Sequence, residues 1–169
     1  MEKKYNLEKT MWSENDFNEM NWHDNKIHAM SFQDEFKFLL DIDYIFKWQL
    51  KSNKKKYLFW ISPCTIIFEN VYDIVFDLEV SVPHQVIIDN ITMTNPRKPK
   101  NVIYLEKQIE YDWLIETING DISFKSVGFD QFVKKTPIST NKNSTSIAGA
   151  EYHLTQFSKA KNQSILISL

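Results

Sequence analysis

A chain of 169 residues, 43% hydrophobic and 14% aromatic, is sized for one domain that buries roughly 70% of the surface its unfolded form exposes. A net charge of −2 and nineteen Lys against a single Arg, Arg97, argue against a nucleic-acid partner, because phosphate recognition leans on clustered basic residues and on the planar fork of Arg. One cysteine, Cys64, rules out an intramolecular disulfide and a Cys-based zinc cluster.

The first residues, Met1-Glu2-Lys3-Lys4-Tyr5-Asn6, carry no apolar leader, and no apolar run approaches the roughly 20 residues of a membrane helix. The expectation is therefore a reducing compartment, most simply the cytoplasm, with no membrane association. Ser13 followed by Asp16 resembles a capping box, and Trp12 with Phe17 a hydrophobic staple. This predicts a short helix near 13–21.

Beyond Asn25 the hydrophobic period becomes two. Lys26 to Phe32 reads as a strand, and Gln33-Asp34-Glu35 as a hairpin connection. From Phe36 to Leu50 every even position is apolar, which predicts a long strand, or two with a bend, covering a core with one face. Tyr57 to Ile61 follows, then an interruption at Pro63, then Thr65 to Phe68. Asp73 to Val82 alternates, with Ile74, Phe76, Leu78, Val80 and Val82 on one side. Val86 to Met93, Asn101 to Leu105, Asp112 to Ile118 and Asp121 to Ser126 complete the strands, the last two joined at Asn119-Gly120, a strong hairpin signal.

Short connections leave no room for crossover helices, so the fold class is mainly β: an antiparallel sandwich or partly closed barrel of about eight or nine strands. Residues 1–136 are expected to form this single domain. Residues 137–169 read as a Ser/Thr/Asn-rich loop and C-terminal tail, with a short helix and a strand at Ile165 to Ile167 as one option.

With glycine only at 120, 128 and 149, neither the phosphate loop nor the dinucleotide fingerprint can be written. G-x-S-x-G and H-E-x-x-H are also missing. The most suggestive cluster is Trp22-His23-Asp24 with His28, and with Asp41 and Asp43 at i, i+2 on the next strand. If Gln33-Asp34-Glu35 closes the hairpin, His28 faces Leu40 on the apolar side and Asp24 lies across from Tyr44. Asp41 and Asp43 then share the other face, an arrangement usable by a hard cation or a general acid/base pair.

The plainer account makes Asp41 and Asp43 part of a solvated polar face, which a one-sided sheet requires, and it is preferred here. His23 and Asp24 are likewise read first as a junction held by local hydrogen bonds. Cys64, between Phe59-Trp60-Ile61 and Ile66-Ile67-Phe68, reads as a small buried hydrophobe. Glu69-Asn70 reads as a turn. The basic stretches Lys54 to Lys56 and Arg97 to Lys100 read as solvated turns.

Trp22-His23-Asp24, Asp41-Ile42-Asp43-Tyr44-Ile45-Phe46-Lys47-Trp48, Phe59-Trp60-Ile61-Ser62-Pro63-Cys64-Thr65, Phe68-Glu69-Asn70-Val71 and Gly128-Phe129 together resemble a family of small uncharacterised bacterial proteins. The likeness spans roughly residues 12 to 135 and implies a bacterial origin. In length and lack of catalytic motifs the chain is also similar, generically, to the immunity proteins that neutralise polymorphic bacterial toxins.

The expectation is a non-enzymatic protein that binds another protein and needs no cofactor. Trp60, Tyr72 and Trp113 are the aromatics expected to be exposed for that purpose. The alternative is a small-ligand-binding β domain or a metal-assisted enzyme built on His23, Asp24, His28, Asp41 and Asp43.

Overall fold

Alternating apolar residues, β-branched runs and tight polar turns produce ten strands among the described residues. They are β1 (Met11–Ser13), β2 (Lys26–Gln33), β3 (Lys37–Leu50), β4 (Tyr57–Phe68), β5 (Tyr72–Leu78), β6 (Val86–Arg97), β7 (Glu110–Thr117), β8 (Gly120–Ser126), β9 (Phe129–Val133) and β10 (Ile138–Thr140). The structure is a computed structural model that describes residues 4–50, 57–81 and 85–140. The expected tail helix, the strand at Ile165 to Ile167 and the basic stretch Lys54 to Lys56 lie outside the described residues.

Every pairing is antiparallel, in the order β1-β9-β4-β3-β2-β6-β7-β8-β5, with β10 also on β4, and the sheet does not close. β2 meets β6 only at Lys26↔Ile87 and Ile27↔Val86. At that corner the sheet turns back on itself. Phe38, Leu40, Ile42, Cys64, Ile66 and Phe68 thereby pack against Ile88, Trp113, Ile115, Ile122 and Phe124 in one core. Ring contacts cross it, Phe68 to Phe124 at 4.7 Å and Phe68 to Trp113 at 5.2 Å. The mainly β antiparallel class is as expected.

The expected helix is a 3-10 helix, Glu14–Glu19, with the Ser13/Asp16 capping box in place. β9, β10 and β1 are additions. β10, in the stretch read as loop and tail, pairs with β4 at Ile138↔Ile61. Pro63 does not break β4. It pairs with Asp43, and its carbonyl accepts from Lys134 N at 2.9 Å. In an antiparallel strand one residue's N–H and C=O face the same neighbour. The missing N–H of Pro63 thus points to where the neighbour changes from β9 to β10, and no ladder bond is lost.

Asn101 to Leu105 is not a strand. It holds a 3-10 turn, Val102–Tyr104, within the loop whose ends are pinned by Arg97↔Glu110. The β7–β8 hairpin turns at Ile118 and Asn119, with Thr117 paired to Gly120. Gly120 has φ +117°, and a Cβ there would stand 2.1 Å from the Asp77 carbonyl oxygen.

Candidate functional site

Two bulges decide which side chains share a face. Above the first, Met30↔Leu40 and Phe32↔Phe38 keep the expected parity. Between Ile27 and Ala29 the register shifts by one residue, so Ile27 faces the core opposite Ile42 while His28 turns to the other side. A bulge of this kind inserts one unpaired residue and inverts the alternation beyond it. The expectation that His28 shares the apolar face is therefore corrected. His28 Nε2 lies 2.8 Å from Asp43 Oδ2.

The second bulge, between Ile45 and Lys47, does the same to β3. Phe46 still packs against the main core, but Trp48 and Leu50 are exposed. Ile45, Phe59 and Ile61 form a second small cluster, and Trp48 meets Phe59 at 5.0 Å. Phe36, expected at the start of the apolar face, sits in the β2–β3 turn instead.

Asp41 and Asp43 share a face as expected, but that face is not solvated: each is 4% exposed. Asp41 accepts from the hydroxyl of Thr65, which pairs with it across β4. The preferred reading of a solvated polar face is thus replaced by a buried hydrogen-bonded pair. Buried carboxylates of this kind persist only when partnered.

His23 and Asp24 lie elsewhere. His23 Nδ1 is 3.1 Å from Asp89 O, and its ring stacks near Trp48 at 6.3 Å. Asp24 adopts φ +64°, and its N–H donates to Ile88 O at 2.9 Å, a bond to β6 rather than one within the junction. Trp22 is buried and donates from Nε1 to Gln131 Oε1 at 3.0 Å. The five-residue cluster is therefore divided, and among the described residues no three His, Cys, Asp or Glu side chains come together in a way that could hold a metal ion.

Of the aromatics expected at the surface, Trp60 and Trp113 are buried and only Tyr72 is exposed. Tyr5 covers Trp60, its ring 5.4 Å away, and Trp113 donates to Ser126 O at 3.2 Å from the middle of the core. Cys64 is buried, and burial, reinforced by the charge of Asp43, pushes its thiol pKa up. Arg97 is bound by Glu110 at 2.8 Å and Asp112 at 2.7 Å; the Asp112 contact foremost pushes its pKa up and holds that carboxylate low.

The exposed aromatics are others. Three turns meet at one end of the sandwich: the β2–β3 turn, the β4–β5 turn and the loop around Val102–Tyr104. Val71 N donates to Phe36 O at 2.7 Å, and the Asn70 and Asn101 side-chain amides bond reciprocally at 2.9 and 3.4 Å. Between them lies a cleft of about 500 Å³ lined in part by Phe36, Glu69, Asn70, Tyr104, Glu106 and Lys107. Phe36 is 75% exposed and Tyr104 83%. Phe32, at the base of the same turn, is also exposed and meets Phe76 of β5 edge to face at 6.2 Å.

The backbone here is strained. Glu35, Phe36 and Asn70 have φ of +64°, +56° and +51°, and for Phe36 this conformation costs about 1–2 kcal/mol. Beneath the cleft Lys107 Nζ reaches Glu14 at 2.9 Å, Asp130 at 3.3 Å, Glu69 at 3.6 Å and Phe129 O at 3.1 Å. Burial alone would lower the Lys107 pKa, but Glu14, aided by Asp130 and Glu69, carries it upward.

Sequence reasoning passed over Phe36, Asn70, Asn101, Tyr104 and Lys107 as members of one site. Asn70 carried a turn signal, but nothing in the chain shows that its amide meets Asn101. Set against protein-family models, curated proteins and solved structures, the chain matches none. Among the described residues no helix is long and apolar enough to cross a membrane.

Proposed function

We propose that this is a non-enzymatic binding protein of a bacterial cytoplasm, of the same general kind as the immunity proteins, and that its partner is another protein seated on the end formed by Phe36 and Tyr104. The observation that carries this reading is the pair of large aromatics, Phe36 and Tyr104, 75% and 83% exposed around one cleft. Aromatic anchors of this type are enriched at protein interfaces. The absence from the sequence of the familiar catalytic signatures supports a binding role, and the bacterial setting follows from the resemblance to a bacterial family.

The test is affinity capture with the tagged full-length chain from native cell extract, run beside a Phe36→Ser, Tyr104→Ser variant. One protein recovered near stoichiometry by the parent and lost from the variant supports the reading. Capture that survives both substitutions, or no captured protein at all, overturns it.

A further inference from the structure

We infer that the Phe36/Tyr104 cleft takes the guanidinium of an arginine from the bound protein. This rests on the binding reading above and adds the chemistry of the group recognised. Glu35, Glu69 and Glu106 line the cleft, and Glu14 and Asp130 lie behind Lys107. Against the three lining carboxylates stand Lys37 and Lys107, which line the cleft too. Both are already held, Lys37 by Glu35 at 2.7 Å and Lys107 by its three acidic neighbours. The lining alone carries a formal excess of one negative charge, with Glu14 and Asp130 behind it, beside a concave surface that attracts a cation.

The rim selects among cations. The π faces of Phe and Tyr attract cationic groups, more often Arg than Lys. A guanidinium is planar, weakly hydrated and able to stack on a ring while its N–H groups reach acceptors at the edge. Glu106 and Asn70 line the same cleft and provide such acceptors. The Glu106 carboxylate has no ion pair among the described residues, so an incoming cation displaces nothing there. A lysine ammonium satisfies the charge and meets the rings as a point charge, without the stacking a planar guanidinium adds.

The probe is N-acetyl-arginine amide, titrated into the isotope-labelled full-length chain and followed by two-dimensional NMR, with N-acetyl-citrulline amide as its neutral isostere. The expected result is saturable shifts at Asn70, Tyr104, Leu105 and Val127 with the arginine probe, weaker ones with N-acetyl-lysine amide, and none with citrulline. Phe36→Leu and Tyr104→Leu keep apolar bulk but remove the π face, and each weakens binding about two- to fivefold. Glu106→Gln weakens it as well. Absence of saturable shifts, equal response to citrulline, or indifference to all three substitutions overturns the inference.

The same variants in the capture experiment separate the two readings. If the partner is lost with Phe36→Ser, Tyr104→Ser but retained with Glu106→Gln and with both leucine variants, protein binding stands and the arginine inference fails. If it is retained by all of them, the binding surface itself is wrong.

Discussion

His28 Nε2 and Asp43 Oδ2 stand 2.8 Å apart on the same face of β2 and β3, although strict alternation along the two strands would set them on opposite faces. The bulge at Ile27/Ala29 brings them together. Because Asp43 and its neighbour Asp41 are buried, their hydrogen bonds contribute to stability, whatever else they do.

The double replacement Asp41→Asn, Asp43→Asn is accordingly expected to destabilise the fold, by about 1–3 kcal/mol, with His28→Ala losing a comparable amount. Urea denaturation midpoints measure this. An unchanged or raised midpoint in the double variant would mean that the two carboxylates strain the fold, as they would in a catalytic pair.

Tyr44 offers a pH test. Burial pushes its hydroxyl up to about 12, against the opposing hydrogen bond from Asn21 N–H. The unfolded chain gives up this proton near 10 while the folded one retains it, so stability is complete below about pH 9 and falls as pH rises. About 1 kcal/mol is lost between about pH 9 and pH 11. Lys107, whose pKa is also raised, loses its contribution in the same direction. Denaturant titrations at the two pH values, compared with Tyr44→Phe, isolate the tyrosine: the variant's slope is shallower, and an identical slope refutes the assignment.

Gly120→Ala places a Cβ 2.1 Å from the Asp77 carbonyl in a backbone conformation of φ +117°. The expected loss is roughly 2–3 kcal/mol. Since the clash falls on the β5–β8 pairing, amide hydrogen exchange should accelerate first in Tyr72–Leu78. Exchange rising uniformly would point to a global effect instead.

Lys107→Met removes the cation that pairs with Glu14, Glu69 and Asp130. Removing one partner of a buried ion pair costs about 3–5 kcal/mol, and the residual solvent exposure of Lys107 brings the expected loss to roughly 2 kcal/mol. The methionine variant should melt at lower temperature, and Glu14→Gln in the same chain should recover part of the loss. No recovery would mean that the stabilisation comes from packing of the lysine stem.

Much of the fold was readable because local signals agreed. Ser13 and Asp16 mark the helix start, Asn119-Gly120 the hairpin, and Phe38 to Tyr44 the core face. The faces of His28, Trp48 and Leu50 were misread at the two bulges. His28 and Phe46 look like ordinary members of an alternating run, and only the register of the neighbouring strand makes each of them the extra residue. Beyond each one, a correct reading of period gave the wrong face, for Trp48 and Leu50 as for His28. Asn101 to Leu105 read as a strand because Val102-Ile103-Tyr104 is an apolar run, yet the run forms a 3-10 turn with Ile103 and Tyr104 exposed. The cleft was illegible because its parts lie far apart in the chain.

Glu14 reaches Lys107 across 93 residues of sequence, and the same carboxylate accepts from Phe129 N across 115. Each of these bonds joins stretches that only the folded chain brings together. The floor beneath the end bearing Phe36 and Tyr104 is therefore complete only in a chain that carries Glu14, Lys107 and Phe129 together. A partner reading that surface would engage the finished protein and pass over incomplete or truncated chains.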